Sequence, residues 1–203
     1  MKRLFPLCLS FFVFVISAIA KPDDLVNVEK EIPGIVLDIR YATTNNFTKQ
    51  AVYPMAKCYL RSSSAEKLKA VQKDLKAKGL GLKIYDGYRP LSVQKKFWAL
   101  VPDDRYVANP AKGSRHNRGA AVDLTIIKKD GTELQMPTPY DDFTEKAHRD
   151  YKDLPAVAIK NRQLLEDVMT KHGFVGITTE WWHFDDVDWK NYDIMDIDFE
   201  KLK

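Results

Sequence analysis

Two segments far apart in the chain limit its possible folds more than any other feature. They are Ser114-Arg115-His116-Asn117-Arg118-Gly119-Ala120-Ala121-Val122-Asp123 and Glu180-Trp181-Trp182-His183. Together they supply two imidazoles and a carboxylate, the ligand set of a catalytic zinc, with a second carboxylate, Glu180, beside the last ligand. A hydrolytic zinc site needs a base for its water as well as ligands. If these groups act together, the fold must bring both segments to one point. The chain has 4 histidines, and two of them lie here.

His116 and Asp123 straddle Gly119, so His116 fits a loop and Asp123 the strand it leads into, with Gly119 allowing close backbone approach or a positive φ. Taken singly, each reads first as a solvated surface residue, and only the pattern as a whole is specific. Thr178-Thr179-Glu180-Trp181-Trp182-His183-Phe184 is rich in β-formers and is predicted to be a strand. On a flat strand residues i and i+3 point to opposite faces, so Glu180 and His183 reach one metal only if the strand bends, bulges or ends there. The alternative is a Trp-rich core strand with both side chains facing water. Arg89 follows Tyr85-Asp86-Gly87-Tyr88 in a turn that would present a guanidinium to an oxyanion or a substrate carboxylate. The alternative for Arg89 is a structural ion pair with Asp86 or another acid.

A chain of 203 residues is the size of one ordinary domain. Its first twenty residues stand apart: Lys2 and Arg3 precede an apolar run from Leu4 to Ile19, and Ala18-Ile19-Ala20 fits a signal-peptidase site. The expectation is a cleaved secretory leader at 1–20, a single domain at 21–203, and no stable membrane insertion after cleavage. Cleavage leaves Cys58 as the sole cysteine, which excludes an intramolecular disulfide and reads as a buried structural thiol. Loss of Lys2 and Arg3 lowers the formal charge from +4 to +2, with the remaining charges well mixed, so no nucleic-acid partner is expected.

Hydropathy patterning predicts a strand at 35–41, a loop at 42–54, and a helix from the N-capping serines Ser62-Ser63-Ser64 to about Lys78. A strand at 82–86, a helix at 91–100 and a strand at 121–127 follow, the last running into a turn at 129–132. A helix at 157–171 closes at His172-Gly173, and a last core strand covers 176–184. His172 is a helix-end residue, and His148 a surface residue or part of the site's lip. The acids between Asp185 and Glu200 form a solvated face or a closing strand, since they lack calcium-loop spacing. The expected fold is α+β: one compact domain with a mainly antiparallel sheet flanked by helices and the zinc site at the sheet.

Ser114-x-His116-x-x-Gly119-x-Ala121-x-Asp123, Glu180-x-Trp182-His183 and Asp86-Gly87-Tyr88-Arg89-Pro90 resemble the zinc D-alanyl-D-alanine dipeptidases of the vancomycin-resistance type. Tyr41-Ala42-Thr43, Asn46-Phe47-Thr48 and the stretch from Met136 to His148 extend the resemblance, in order, over most of the chain beyond the leader. The resemblance implies that His116, Asp123 and His183 bind one Zn2+ ion, that Glu180 is the general acid/base, and that Arg89 stabilises the transition state. It implies an enclosed site for a small D,D-dipeptide, with Ser114, Tyr41, Asp86 and Asp141 shaping the site or holding substrate. Asp141 would pair with the substrate amine, with Asp142 next to it competing for that register. Two departures, Lys49 in place of a common glycine and the short span between Pro90 and Ser114, are expected to alter the pocket wall.

The nearest rival is a zinc D,D- or L,D-carboxypeptidase or endopeptidase acting on peptidoglycan peptides, which needs an open groove. An Fe(II) oxygenase uses the same two histidines and one carboxylate, but export and a base at Glu180 count against it. A non-catalytic wall-binding module with a structural zinc would have no use for Glu180. The leader places the expected activity outside the cytoplasm, in the periplasm, where wall fragments rather than cytoplasmic precursors are met.

Overall fold

A computed structural model describes residues 24–202; the expected leader lies outside them. A five-stranded sheet forms its centre, in the order β2 (Val36–Leu37), β4 (Leu80–Asp86), β5 (Ala121–Lys128), β7 (His183–Asp186), β6 (Phe174–Gly176). Only the β2–β4 pair is parallel. A short antiparallel ribbon pairs β1 (Leu25–Asn27) with β3 (Tyr59–Arg61), and β1 runs directly into the one-turn helix α1 (Val28–Glu31).

The two faces of the sheet differ because strand side chains alternate. Val122, Leu124 and Ile126 of β5 are fully buried, and their ladder partners Phe184, Ile84 and Leu82 share their face. This face joins the core cluster that also holds Leu68, Val71 and Leu75 of α2 (Ser62–Lys76) and Leu165 and Met169 of α4 (Ala156–Lys171). Asp123 points to the other face, in register with His183 of β7. On its other side Asp123 is in register with Asp86 of β4, because a one-residue irregularity between Ile84 and Asp86 shifts the ladder. The apolar face therefore anchors the strands while the opposite face collects titratable side chains.

Several expectations need correction. The strand foreseen at 35–41 stops at Leu37. The Asp38 N–H still bonds to Ile84 O at 2.8 Å, but the β4 irregularity begins there, and Arg40–Ala42 turns into a 3-10 helix whose Tyr41 carbonyl accepts from Val52 and Tyr53. The strand foreseen at 176–184 is a hairpin: β6 pairs antiparallel with β7, and Ile177–Trp182 is the loop between them. α2 ends at Lys76, and its N-terminus has no side-chain cap. Ser64 instead bonds to Asp186 at 2.7 Å, and Ser63 pairs with the Tyr192 hydroxyl.

α3 (Leu91–Leu100) starts after Pro90 as expected, and α4 ends at His172, whose Nε2 lies 2.9 Å from Asp74. Cys58 is buried against Gly87, where any Cβ would collide with its sulfur, and burial pushes its thiol pKa up, as expected of a structural thiol. Asp185 and Asp186 are buried, unlike the foreseen solvated face, whereas Asp193, Asp196 and Asp198 are exposed. Among the described residues no helix is long and apolar enough to cross a membrane.

Candidate metal centre

The bend that Glu180 and His183 require is the hairpin turn itself. His183 opens β7 on the Asp123 face, while Glu180 sits in the preceding loop, free of strand alternation, with its Oε2 3.9 Å from His183 Nδ1. His116 comes from a 3-10 turn, His116–Arg118, closed by Gly119 at φ 68°, where a Cβ would strike Leu25. The Ser114 hydroxyl accepts the His116 N–H at 3.2 Å and so shapes this turn.

One donor atom from each of His116, Asp123 and His183 lies within 4.8 Å of the others, and all three residues are buried. The outer nitrogens are both engaged: His116 Nδ1 is 2.7 Å from Gly87 O, and His183 Nε2 is 2.9 Å from Asp185 Oδ1. Both acceptors require a proton on those nitrogens, so neutral rings turn their lone pairs inward. The inner nitrogens lie 3.1 Å apart, at 3.4 and 3.0 Å from Asp123 Oδ1. With both rings neutral, two lone pairs and a carboxylate oxygen converge on one point, a place that a metal ion fills or, in metal-free protein, a proton on His183 Nδ1 shared with Asp123. Two imidazoles and one carboxylate, each imidazole steered by an outer acceptor, are the donor set of a catalytic zinc site, and the residues fit that ion.

Electrostatics follow this crowding. Burial alone would raise the Asp123 pKa, but the two imidazoles hold it well below the usual carboxylate range. Burial opposes charge on His183, yet Asp185 and Asp123 push its pKa up to about 10. Glu180 is raised well above the usual carboxylate range, first by burial and then by Asp123 and Asp141, with His183 opposing.

The cavity over this cluster encloses about 110 Å³, small beside the roughly 300–1,000 Å³ of pockets that take drug-sized ligands. Tyr41, Arg89, Ser114, Asp141 and Glu180 line it with the three candidate ligands, and Phe47, Phe97, Phe143 and Trp182 supply apolar wall. Asp141 rather than Asp142 faces inward. It adopts φ 61°, accepts from the Tyr41 hydroxyl at 3.0 Å through Oδ1, and has its Oδ2 buried without a hydrogen-bond partner. Burial, with Asp123 adding, pushes its pKa up to about 7.

Arg89 makes the expected ion pair with Asp86 and also lines the cavity. Its Nε and Nη2 bond to Asp86 at 3.1 and 2.7 Å, and Nη1 bonds to Gln94 at 2.8 Å, leaving two of its five N–H protons for a ligand. Burial would lower its pKa, but Asp86 and nearby tyrosines hold it above the ordinary arginine value. Asp86 is not among the lining residues; its carboxylate is taken up by Arg89, Tyr53 and the Gly87 N–H. Lys49 is exposed and outside the cavity lining; His148 is half-buried and also outside it, whereas the span before Ser114 supplies wall from Asp104 to Ala108.

Four partners escaped sequence reasoning: the Gly87 carbonyl, Gln94, Asp185 and Tyr140, whose hydroxyl bonds to Asp123 Oδ2 at 2.9 Å. Only Asp185 carried a local signal, since a carboxylate two residues beyond His183 on a strand shares its face.

A family model described as D-ala-D-ala dipeptidase matches residues 21–201. The D-alanyl-D-alanine dipeptidase of Escherichia coli strain K12 is 38% identical over 162 residues, 80% of this chain and 84% of that protein. The Enterococcus faecalis D-alanyl-D-alanine dipeptidase is 31% identical over 182 residues, 79% of this chain and 90% of that protein. Among solved structures, the LdcB LD-carboxypeptidase is similar with a TM-score of 0.46 and 22% identity, covering 90% of this chain and 80% of that one.

Proposed function

The chain belongs to the D-alanyl-D-alanine dipeptidase family, and we propose that it is a zinc metallopeptidase that hydrolyses the free dipeptide D-Ala-D-Ala. One observation carries the reading: His116, Asp123 and His183 converge within 4.8 Å at the floor of a small cavity, with Glu180 beside them. Zinc held by these three side chains would polarise the scissile carbonyl and lower the pKa of a water in its remaining position.

The chain's own residues supply the rest. Glu180 takes the proton of the attacking water and returns it to the leaving amine, and its raised pKa makes it an effective carrier in both directions. Arg89, kept charged by Asp86 and oriented by Gln94, directs its remaining N–H groups at the oxyanion. Asp141, held by Tyr41 with one oxygen unpartnered, receives the substrate ammonium. The aromatic wall excludes bulk water and strengthens these interactions.

The leader at residues 1–20 supports export to the periplasm, where the substrate would be D-Ala-D-Ala released from wall peptides and the role salvage of D-alanine. Fusing residues 1–20 to a reporter active only outside the cytoplasm tests this; a reporter retained inside contradicts it.

The activity is tested by D-alanine release from D-Ala-D-Ala, N-acetyl-D-Ala-D-Ala and a stem pentapeptide ending in D-Ala-D-Ala. The free dipeptide should be preferred in kcat/KM by at least about 100-fold, since the alternatives leave Asp141 buried without its cation. Cleavage of the pentapeptide with the dipeptide left intact would establish a carboxypeptidase instead.

A further inference from the structure

We infer that Arg149 is a positioning residue for the active site, holding the hairpin loop so that Glu180 and His183 meet the same point. This rests on the roles proposed above for those two residues. Arg149 follows the segment that carries Asp141, lies outside the cavity lining, and belongs to none of the sequence motifs.

Its guanidinium is spent on the backbone of the Ile177–Trp182 loop and its exit. Nε bonds to Ile177 O at 2.9 Å, and Nη2 bonds to Trp181 O at 3.1 Å and to His183 O at 2.8 Å. The Arg149 backbone N–H adds a bond to Thr178 O at 2.8 Å. Four carbonyls from the two ends of the loop are thus drawn onto one residue, and Glu180 lies between the bonded positions. A hairpin loop has no ladder of its own to satisfy these carbonyls, so a planar fork of donors serves in its place. The fork is itself fixed: it stacks over Phe184 at 4.3 Å, and Nη1 lies 3.5 Å from Glu166 of α4.

Gly176 at the loop entry is the matching feature. A Cβ there would fall on the Arg149 guanidinium, so glycine at 176 is what lets the fork reach all three carbonyls. His183 is additionally fixed by its β5 ladder partner, whereas among the described residues no hydrogen bond holds the Glu180 side chain. Displacing the fork should therefore move Glu180 more than the ligands, and affect turnover more than metal or substrate binding.

Arg149→Lys, Arg149→Met and Gly176→Ala test this, compared with Glu180→Gln for kcat, KM, zinc content, thermal melting, and hydrogen exchange of amides 177–183. The expected result is a fall in kcat of about 100-fold, the cost of a displacement on the order of 1 Å, with KM changed less than about threefold and zinc content at the unmutated level. Amide exchange should accelerate in the loop and not in β5. Lysine should not rescue, because a point charge cannot span three carbonyls. Folded variants with unchanged kcat and loop exchange would overturn the inference, as would failure of all three to fold, since Arg149 would then support the domain at large. If Glu180→Gln itself retained activity, the assignment of the base would fail instead.

Discussion

Asp123 and His183 face each other across the β5–β7 ladder, with His183 Nδ1 3.0 Å from Asp123 Oδ1. Two candidate ligands distant in sequence are thereby fixed by backbone pairing, and the Leu124 N–H bond to Trp182 O at 3.1 Å carries the pairing to the edge of the loop. Asp185, the next residue of β7 on that face, accepts from His183 Nε2 and sets which imidazole nitrogen turns inward. Asp185→Asn should weaken zinc affinity by about 10–100-fold, read by competition with a chromogenic chelator. Unaltered affinity would show that the ladder alone orients the ring.

Asp141 should set the pH dependence of substrate binding. Its carboxyl is raised to about 7, so below that pH it is protonated and has no charge for the ammonium. The apparent KM should fall as pH rises through the Asp141 pKa, and Asp141→Asn should raise KM and remove that limb. Stability runs the other way: a carboxyl with a raised folded-state pKa favours the folded state while protonated and destabilises it as pH climbs through the folded value. The Asn variant, which tolerates the left-handed backbone, should gain more in Tm over the unmutated protein at pH 8 than at pH 5.

Zinc affinity should itself be proton-linked. His183, raised to about 10 by Asp185 and Asp123 against its burial, carries a proton near neutrality in metal-free protein. A ligand imidazole must give that proton up, so affinity should rise about tenfold per pH unit below the His183 pKa. Chelator competition at several pH values measures the slope, and a flat profile would contradict the assignment of His183 as ligand.

Lys49 holds φ 57°, a region that costs a side-chain-bearing residue about 1–2 kcal/mol. Lys49→Gly relieves this at an entropic cost of about 0.5–1 kcal/mol. A small gain in Tm with unchanged kcat/KM is expected, because Lys49 is exposed and outside the cavity lining. A change in substrate preference would show that this position does shape the wall.

What the sequence made legible follows from how local each determinant is. The apolar periodicity of α2 and α4 and the strand-forming composition of β5 are local and legible in the sequence, whereas the alternation at 35–41 overstated β2. The residues His116, Asp123, Glu180 and His183 were found because their chemistry and spacing are local patterns, and the need for a bend between the last two was evident from strand geometry. That the bend is a hairpin was not, since β-forming residues run through 174–186 without a strong turn dipeptide. The β4 irregularity that puts Asp86 beside Asp123 arises from pairing, and the serines at the start of α2 follow tertiary partners over local capping. Gln94, Tyr140 and Arg149 act through distances that only the folded chain defines.

Titrating zinc into chelator-stripped protein while measuring D-alanine release from D-Ala-D-Ala decides whether this site is a catalytic zinc centre. Activity should return in proportion to added zinc and stop at one equivalent, and Glu180→Gln should bind the same equivalent with turnover lowered by about 10²–10⁴-fold. Hydrolysis that survives complete metal removal, or a Glu180→Gln variant as active as the unmutated protein, would contradict it.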